Sequence, residues 1–134
     1  EAVAHDCSVE FSGQQGAWVR GNAELLHRAI ENIVRNAVKL TPPGSQVQID
    51  LTLSAEPGQV IVRILDVGPG VARADLQAIF TPFFRGSADN PQEGHGLGLA
   101  ISQRVIEAHQ GTIIATNRPT GGLCVTVSLP HASV

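Results

Sequence analysis

Asn32, Asn36 and Lys39 are three polar side chains four and three residues apart. On a helix turning about 100° per residue they fall within an arc of roughly 60°. Amide oxygens are hard ligands suited to Mg2+, a cation that commonly bridges protein and phosphate. An ammonium one turn further on can meet phosphate oxygens. Seen alone, the two asparagines are equally ordinary residues at the edge of a core. A second group is Asp66-Val67-Gly68-Pro69-Gly70. A carboxylate followed by two glycines fits a place where a ligand comes close to backbone. The carboxylate accepts hydrogen bonds, so it would suit the exocyclic amine of adenine and oppose the carbonyl of guanine. A turn using Asp and Gly for local geometry is the plainer reading. The third group is Gly94-His95-Gly96-Leu97-Gly98-Leu99, running straight into a helical pattern. Glycines before a helix offer backbone N–H groups and the positive helix end to an anion. Neither a Rossmann fingerprint nor a Walker P-loop fits, because Leu99 stands where a glycine or a lysine would be needed.

The elements that must position these groups are legible in part. Asn22 is a candidate N-cap, and Leu25, Leu26, Ala29, Ile30, Ile33, Val34 and Ala37 follow at helical spacing. Their stripe centres about 100° from the asparagines, which places Asn32, Asn36 and Lys39 at the seam between core and solvent. Glu24/Arg28 and Glu31/Arg35 are i,i+4 ion pairs on the far face. Pro42-Pro43-Gly44 stops the helix near Leu40. Val47–Leu53 alternates as a half-buried strand, Val60–Leu65 as a more buried one, and the two form a hairpin with Asp66 at its end. Cys7–Arg20 reads as two short strands around Gly13-Gln14-Gln15-Gly16. A short helix over about Ala72–Ile79 and a long, mobile loop over Thr81–Gly96 follow. Leu97–His109 is helical, with Ile101, Val105 and Ala108 on one face and Gly111 as its stop. Thr112–Thr116 and Leu123–Leu129 alternate as strands around a Pro-Thr-Gly-Gly turn. The expected class is α+β, a two-layer α/β sandwich whose mixed sheet is covered on one face by helices.

Composition narrows the function. The 134 residues suit one domain with its own core, at 43% hydrophobic and 16% charged. A net charge of −3 gives no electrostatic footprint for nucleic acid or a membrane surface. Four Phe, one Trp and no Tyr disfavour a base-stacking platform. No apolar run approaches a membrane span and no secretory signal opens the sequence. Cys7 and Cys124 make no disulfide framework and suit a reducing cytosol.

Taken in order, Asn32–Lys39, Asp66–Gly70, Ile79-Phe80-Thr81-Pro82-Phe83-Phe84-Arg85, Gly94–Leu99 and Gly121-Gly122 resemble the N, first G, F, second G and third G boxes of sensor histidine kinases. Those boxes belong to the catalytic ATP-binding domain, and the resemblance runs from Gly21 to Pro130. It implies the Bergerat ATP-binding fold, with ATP and Mg2+ as cofactors. Asn36 matches the metal-ligating asparagine and Asn32 its partner one turn earlier. Lys39 matches the basic residue that reaches the phosphates. Asp66 matches the adenine-reading aspartate, supported by Gly68 and Gly70. Phe80, Phe83 and Phe84 match the aromatic box at the root of the ATP lid, and Arg85 is a candidate for phosphate or for the partner domain. Gly94, Gly96 and Gly98 match the phosphate-facing loop, with Leu97 and Leu99 anchoring the helix and His95 within phosphate reach. Gly122 matches the third G box, with Leu123 in place of the usual threonine. Leu40 replaces the usual aromatic residue near adenine, the lid from Gly86 to Glu93 is short, and His109-Gln110-Gly111 replaces His-Gly-Gly.

The resemblance also separates subfamilies. Gyrase-type ATPases and anti-sigma-factor serine kinases carry a glutamate base at the position of Asn32, whereas Glu31 is turned about 100° away on the helix. An asparagine there suits a histidine kinase, whose nucleophile is an imidazole on another domain. None of the five histidines has the phosphoacceptor context. The expectation is therefore one catalytic domain over residues 1–134, with the dimerising, phosphoaccepting helices upstream of Glu1 in a homodimeric parent. That parent would be a membrane sensor with this domain in the cytoplasm, passing phosphoryl to a response regulator. The fragment itself would be a monomer. An anti-sigma-factor-type serine kinase and a non-catalytic nucleotide-sensing module on the same fold remain open.

Overall fold

The computed structural model describes residues 8–13, 18–54, 58–84 and 98–132. Its elements are β1 (Ser8–Gly13), α1 (Ala23–Leu40), β2 (Gln46–Ser54), β3 (Gln59–Leu65), α2 (Gly98–Ala108), β4 (Thr112–Asn117) and β5 (Leu123–Pro130). The five strands form one sheet in the order β1-β2-β3-β5-β4. β1 runs parallel to β2, and every other pair is antiparallel. The sheet is therefore mixed, as expected. Along β3 and β5 buried residues alternate with partly exposed ones. The register sets buried against buried: Val60 opposite Leu129, Val62 opposite Val127 and Ile64 opposite Val125. One face of the sheet thus meets Ala29, Ile33 and Ala37 of α1 and Leu99 and Ile106 of α2 in a single core.

α1 begins where the sequence places it. The Asn22 side chain accepts from Leu25 N–H at 3.0 Å, satisfying one of the orphan donors of the first turn. The ion pairs Glu24–Arg28 and Glu31–Arg35 span 3.8 and 3.6 Å on the exposed face. The chain then leaves the helix at Thr41, whose N–H bonds back to Ala37 and Val38. His109 fixes the start of α1 to the end of α2. Asn22 N–H donates to its Nε2 at 3.1 Å, which puts the ring proton on Nδ1, and Nδ1 donates to Val105 O at 2.8 Å.

Four expectations are corrected. Among the described residues Cys7–Arg20 supplies one strand, β1, and Trp18–Arg20 belongs to no ladder. A parallel β1–β2 pair needs a crossover, α1 provides it, and Trp18–Arg20 leads into it. The expected helix over Ala72–Ile79 is two single 3-10 turns, Arg73–Asp75 and Ala78–Phe80. Its spacing of Leu76, Ile79 and Phe80 mimics an α-helix, but the backbone bonds close i→i+3.

The buried face of α2 is Leu99, Ala100, Ser102 and Ile106, while Ile101 is 40% exposed. Ser102 Oγ donates to Ala29 O at 2.6 Å, so a small polar residue sits where the two helices meet. The hydroxyl disguises the stripe. Finally, the left-handed residue that ends α2 is Gln110, at φ +61°, and not Gly111. Gln110 N–H bonds to Glu107 O and Gly111 N–H to Ile106 O, the paired bonds of a Schellman cap. Gly111 is needed for a different reason: a Cβ there would collide with Ser128 O. Gln110→Gly should therefore stabilise the domain by roughly 0.5–1 kcal/mol, read as a melting temperature a few degrees higher. An unchanged or lower midpoint would show that the left-handed glutamine carries no strain.

Candidate nucleotide-binding site

The site is built around the strand ends of β3 and β5. Asp66 follows the last residue of β3 and is 3% exposed. Its N–H donates to Leu123 O at 3.0 Å, and its Oδ1 accepts from Leu123 N–H at 3.0 Å and from Gly68 N–H at 2.9 Å. Both bonds fall on Oδ1, which leaves Oδ2 as the oxygen that can accept from a ligand. Burial raises the pKa of this carboxyl above the ordinary value, against the opposing effects of the Leu123 and Gly68 amides and of the Arg118 charge.

Backbone packs tightly around it. Gly122 lies at φ +101° against the Asp66 peptide, where any Cβ would collide with Asp66 O. A Cβ at Gly68 would stand 2.6 Å from Leu40 O. The loop after Asp66 therefore lies directly on the C-terminal end of α1. Thr41, 1% exposed, completes that contact: its Oγ1 accepts from Val67 N–H at 3.4 Å.

The other end of the site lies along α1. Asn32 is half-buried and its Nδ2 donates to Gly98 O at 3.4 Å, the first residue of α2. A Cβ on Gly98 would be 3.8 Å from Asn32 Cβ, so the second-G-box glycine and the first asparagine are in contact range. Asn36 is half-buried one turn later, and Lys39 is exposed. Between Asn32 and Leu40 the helix advances about 12 Å. One stretch of α1 thus connects the start of α2 to the Asp66 loop. Phe80 is 5% exposed and Phe84 packs against the core, whereas Phe83 is 69% exposed at φ +59°. Leu99, the second residue of α2, is fully buried in the core. Arg85, Gly94, His95, Gly96 and Leu97 lie outside the described residues.

Three residues of the site escaped the sequence reading: Thr41, Asn117 and Arg118. Arg118 Nη1 donates to Asp66 O at 2.7 Å. Asn117 bonds to both backbone groups of Val71. Their only sequence signal is a polar pair before a Pro-Thr-Gly-Gly turn, and that is ordinary turn composition.

A mixed sheet carrying two helices on one face, with a buried aspartate at a strand tip and an asparagine-bearing helix beside it, makes a two-layer α/β sandwich. Residues 21–133 match the family described as histidine kinase-, DNA gyrase B-, and HSP90-like ATPase, and the chain belongs to that family. It is 39% identical over 130 residues to the sensor protein SphS of Synechococcus elongatus, covering 90% of this chain and 31% of the relative. It is 37% identical over 133 residues to the sensor histidine kinase CpxA of Escherichia coli, covering 97% and 28%. Among solved structures, a mycobacterial sensor histidine kinase, MprB, superposes with a TM-score of 0.86 at 30% identity, covering 96% of this chain and 86% of that one. The chain spans less than a third of the length of the two sensor relatives.

Proposed function

We propose that residues 1–134 form the catalytic domain of a two-component sensor kinase. It transfers the γ-phosphoryl group of ATP to a histidine on a separate helical dimerisation domain, for relay to a response-regulator aspartate. The observation that carries this reading is the placement of Asp66 and Asn32 at opposite ends of one stretch of α1, the first beside the helix end and the second against Gly98. A nucleotide lying along that stretch has its base at Asp66 and its phosphates at Asn36, Lys39 and the Gly94–Gly98 backbone. The resemblance assigns Phe84 and Arg85 to the root of the lid, and Arg85 lies outside the described residues. Phosphoryl transfer asks a protein for positioning and charge stabilisation more than for covalent chemistry, and these residue types supply both.

The donor set fits Mg2+. Asn32 Nδ2 is directed to Gly98 O, so the amide's oxygen is the atom available to a cation. No cluster of three His, Cys, Asp or Glu exists among the described residues, so amide oxygens completed by phosphate oxygens and water would be the oxygen donors offered to this hard cation. When bound, Mg2+ would neutralise phosphate charge.

Glu31 bears on the serine-kinase and ATPase alternative. It pairs with Arg35 at 3.6 Å and is exposed on the solvent side of α1, away from Asn32. That position suits a surface ion pair, not a base acting on a nucleophile at the site. The parent would carry the phosphoacceptor helices and a membrane anchor outside this chain; among the described residues no helix is long and apolar enough to cross a membrane. The deciding experiment supplies a phosphoacceptor helical domain together with radiolabelled ATP. Transfer to its histidine is expected. ATP binding without transfer would make the chain a nucleotide-sensing module, and steady ATP hydrolysis abolished by Glu31→Gln would make it an ATPase or serine kinase.

The buried carboxyl makes binding pH-dependent. Only ionised Asp66 accepts from adenine without first losing a proton, so ATP affinity should fall on acidification at a pH above the ordinary carboxylate value of 3.8. The unliganded fold responds with the opposite sign. A folded-state pKa above the unfolded one contributes stability below the unfolded value, and that contribution is lost as pH rises through the folded value. The stabilisation conferred by ATP in thermal melts should therefore shrink as pH falls, and in Asp66→Asn it should not show this component. An identical pH response in both proteins would remove Asp66 from the base pocket.

A further inference from the structure

The segment from Asp66 to Val71 is held at both ends by two consecutive residues that belong to none of the boxes. At its start, Arg118 Nη1 donates to Asp66 O at 2.7 Å, while Arg118 N–H donates to Gly122 O at 2.8 Å. At its end, Asn117 Oδ1 accepts from Val71 N–H at 2.9 Å and Asn117 Nδ2 donates to Val71 O at 2.6 Å. A primary amide that accepts from and donates to the same residue reproduces one rung of a β-ladder. Asn117, the last residue of β4, thus carries strand-like pairing across to the loop. Gly70 permits this: it lies at φ +76°, and a Cβ there would be 2.8 Å from Asn117 Oδ1. Between the two anchors the loop has few bonds. Gly68 N–H reaches the Asp66 carboxylate, Val67 N–H makes a long bond to Thr41, and Pro69 has no N–H to give.

We infer that Asn117 and Arg118 are positioning residues for the nucleotide base, clamping the Asp66–Val71 loop in the shape in which Asp66 can read an exocyclic amine. The inference rests on the reading of Asp66 as the adenine acceptor. Neither side chain has to touch the nucleotide. Asn117 sets where the loop ends and Arg118 sets where it begins, so the clamp selects one loop conformation before ligand arrives. Apparent affinity falls in proportion to the fraction of molecules that hold the competent conformation. Loosening one end so that about a tenth remain competent weakens binding about tenfold.

The test compares ATP with ITP, whose base carries a carbonyl in place of the exocyclic amine. Dissociation constants are measured by calorimetry for the unaltered chain, Asn117→Ala, Arg118→Ala and Asp66→Asn, well below each melting midpoint. Both clamp variants are expected to bind ATP about tenfold more weakly while ITP binding stays within about twofold, so the ATP/ITP preference collapses. A purely structural role would leave that preference intact, whatever happened to the melting temperature. A preference within twofold of the unaltered chain in both variants would overturn the clamp. If Asn117→Ala does not fold, Arg118→Ala carries the same expectation. Asp66→Asn separates the two failures. If it also preserves the preference, the adenine reading falls and takes the clamp with it. If it abolishes the preference while the clamp variants keep it, the clamp alone is wrong.

Discussion

Asp66→Asn should weaken ATP binding by roughly 1.5–3 kcal/mol, the value of one charge-assisted hydrogen bond, which is about 10- to 150-fold in Kd. The substitution is nearly isosteric, and its effect on the fold should be small. An asparagine Oδ1 can still accept from Gly68 N–H and Leu123 N–H, the two bonds that Asp66 Oδ1 makes. The group then presented to the ligand is an NH2, and it faces the amine of adenine donor to donor. Because the carboxylate is buried, removing its charge also removes a desolvation penalty, so the unliganded domain should melt no lower than before. Affinity and stability are thereby separated in one variant. A calorimetric change below twofold would take Asp66 out of the site; a large fall in melting temperature would make it a structural residue.

How much of this was legible beforehand follows from the range of each interaction. α1 was readable because its determinants are local. The Asn22 cap acts three residues away, the ion pairs four, and the apolar stripe repeats within each turn. Asp66 was readable because a strand pattern ends at a carboxylate followed by Gly68 and Gly70. Its surroundings were not. Arg118 lies 52 positions away and donates to a main-chain oxygen that any residue would present. Asn117 pairs with the peptide of Val71 and ignores its side chain. Contacts made to backbone leave no mark on the sequence of the partner.

The same logic explains the errors. The β1 segment is followed by a glycine-bounded sequence that suits a hairpin, and only the distant pairing of Val9 with Val47 and Phe11 with Ile49 makes it a parallel edge strand. Ser102 reads as a polar surface position until Ala29 O is found 2.6 Å away. The sequence-level view of α2 erred by one helical position, enough to turn its inward face by about 100°.

Asn36→Ala should reduce phosphotransfer to a supplied acceptor domain by on the order of 10²–10³-fold, the loss typical when a group that stabilises transition-state charge is removed. Asn36 sits one turn beyond Asn32 on the half-buried seam of α1, between the residue that reaches Gly98 and the helix end that meets the Asp66 loop. Truncation removes an amide oxygen there without touching the buried stripe of Ala29, Ile33 and Ala37, so the fold should persist. Asn36→Asp tests the chemistry more sharply. It keeps an oxygen at the same place but sets a second negative charge beside the phosphates, where repulsion opposes binding. A readout independent of turnover is the ratio of ATP dissociation constants with Mg2+ and with a chelator. The unaltered chain should bind more tightly with the metal, and Asn36→Ala should bring the ratio close to one while leaving binding in chelator nearly unchanged. Base recognition lies at the other end of the nucleotide, so the ATP/ITP preference in chelator should survive. Transfer and metal dependence both retained in Asn36→Ala would place the cation elsewhere and leave Asn36 as an ordinary residue at the edge of the core.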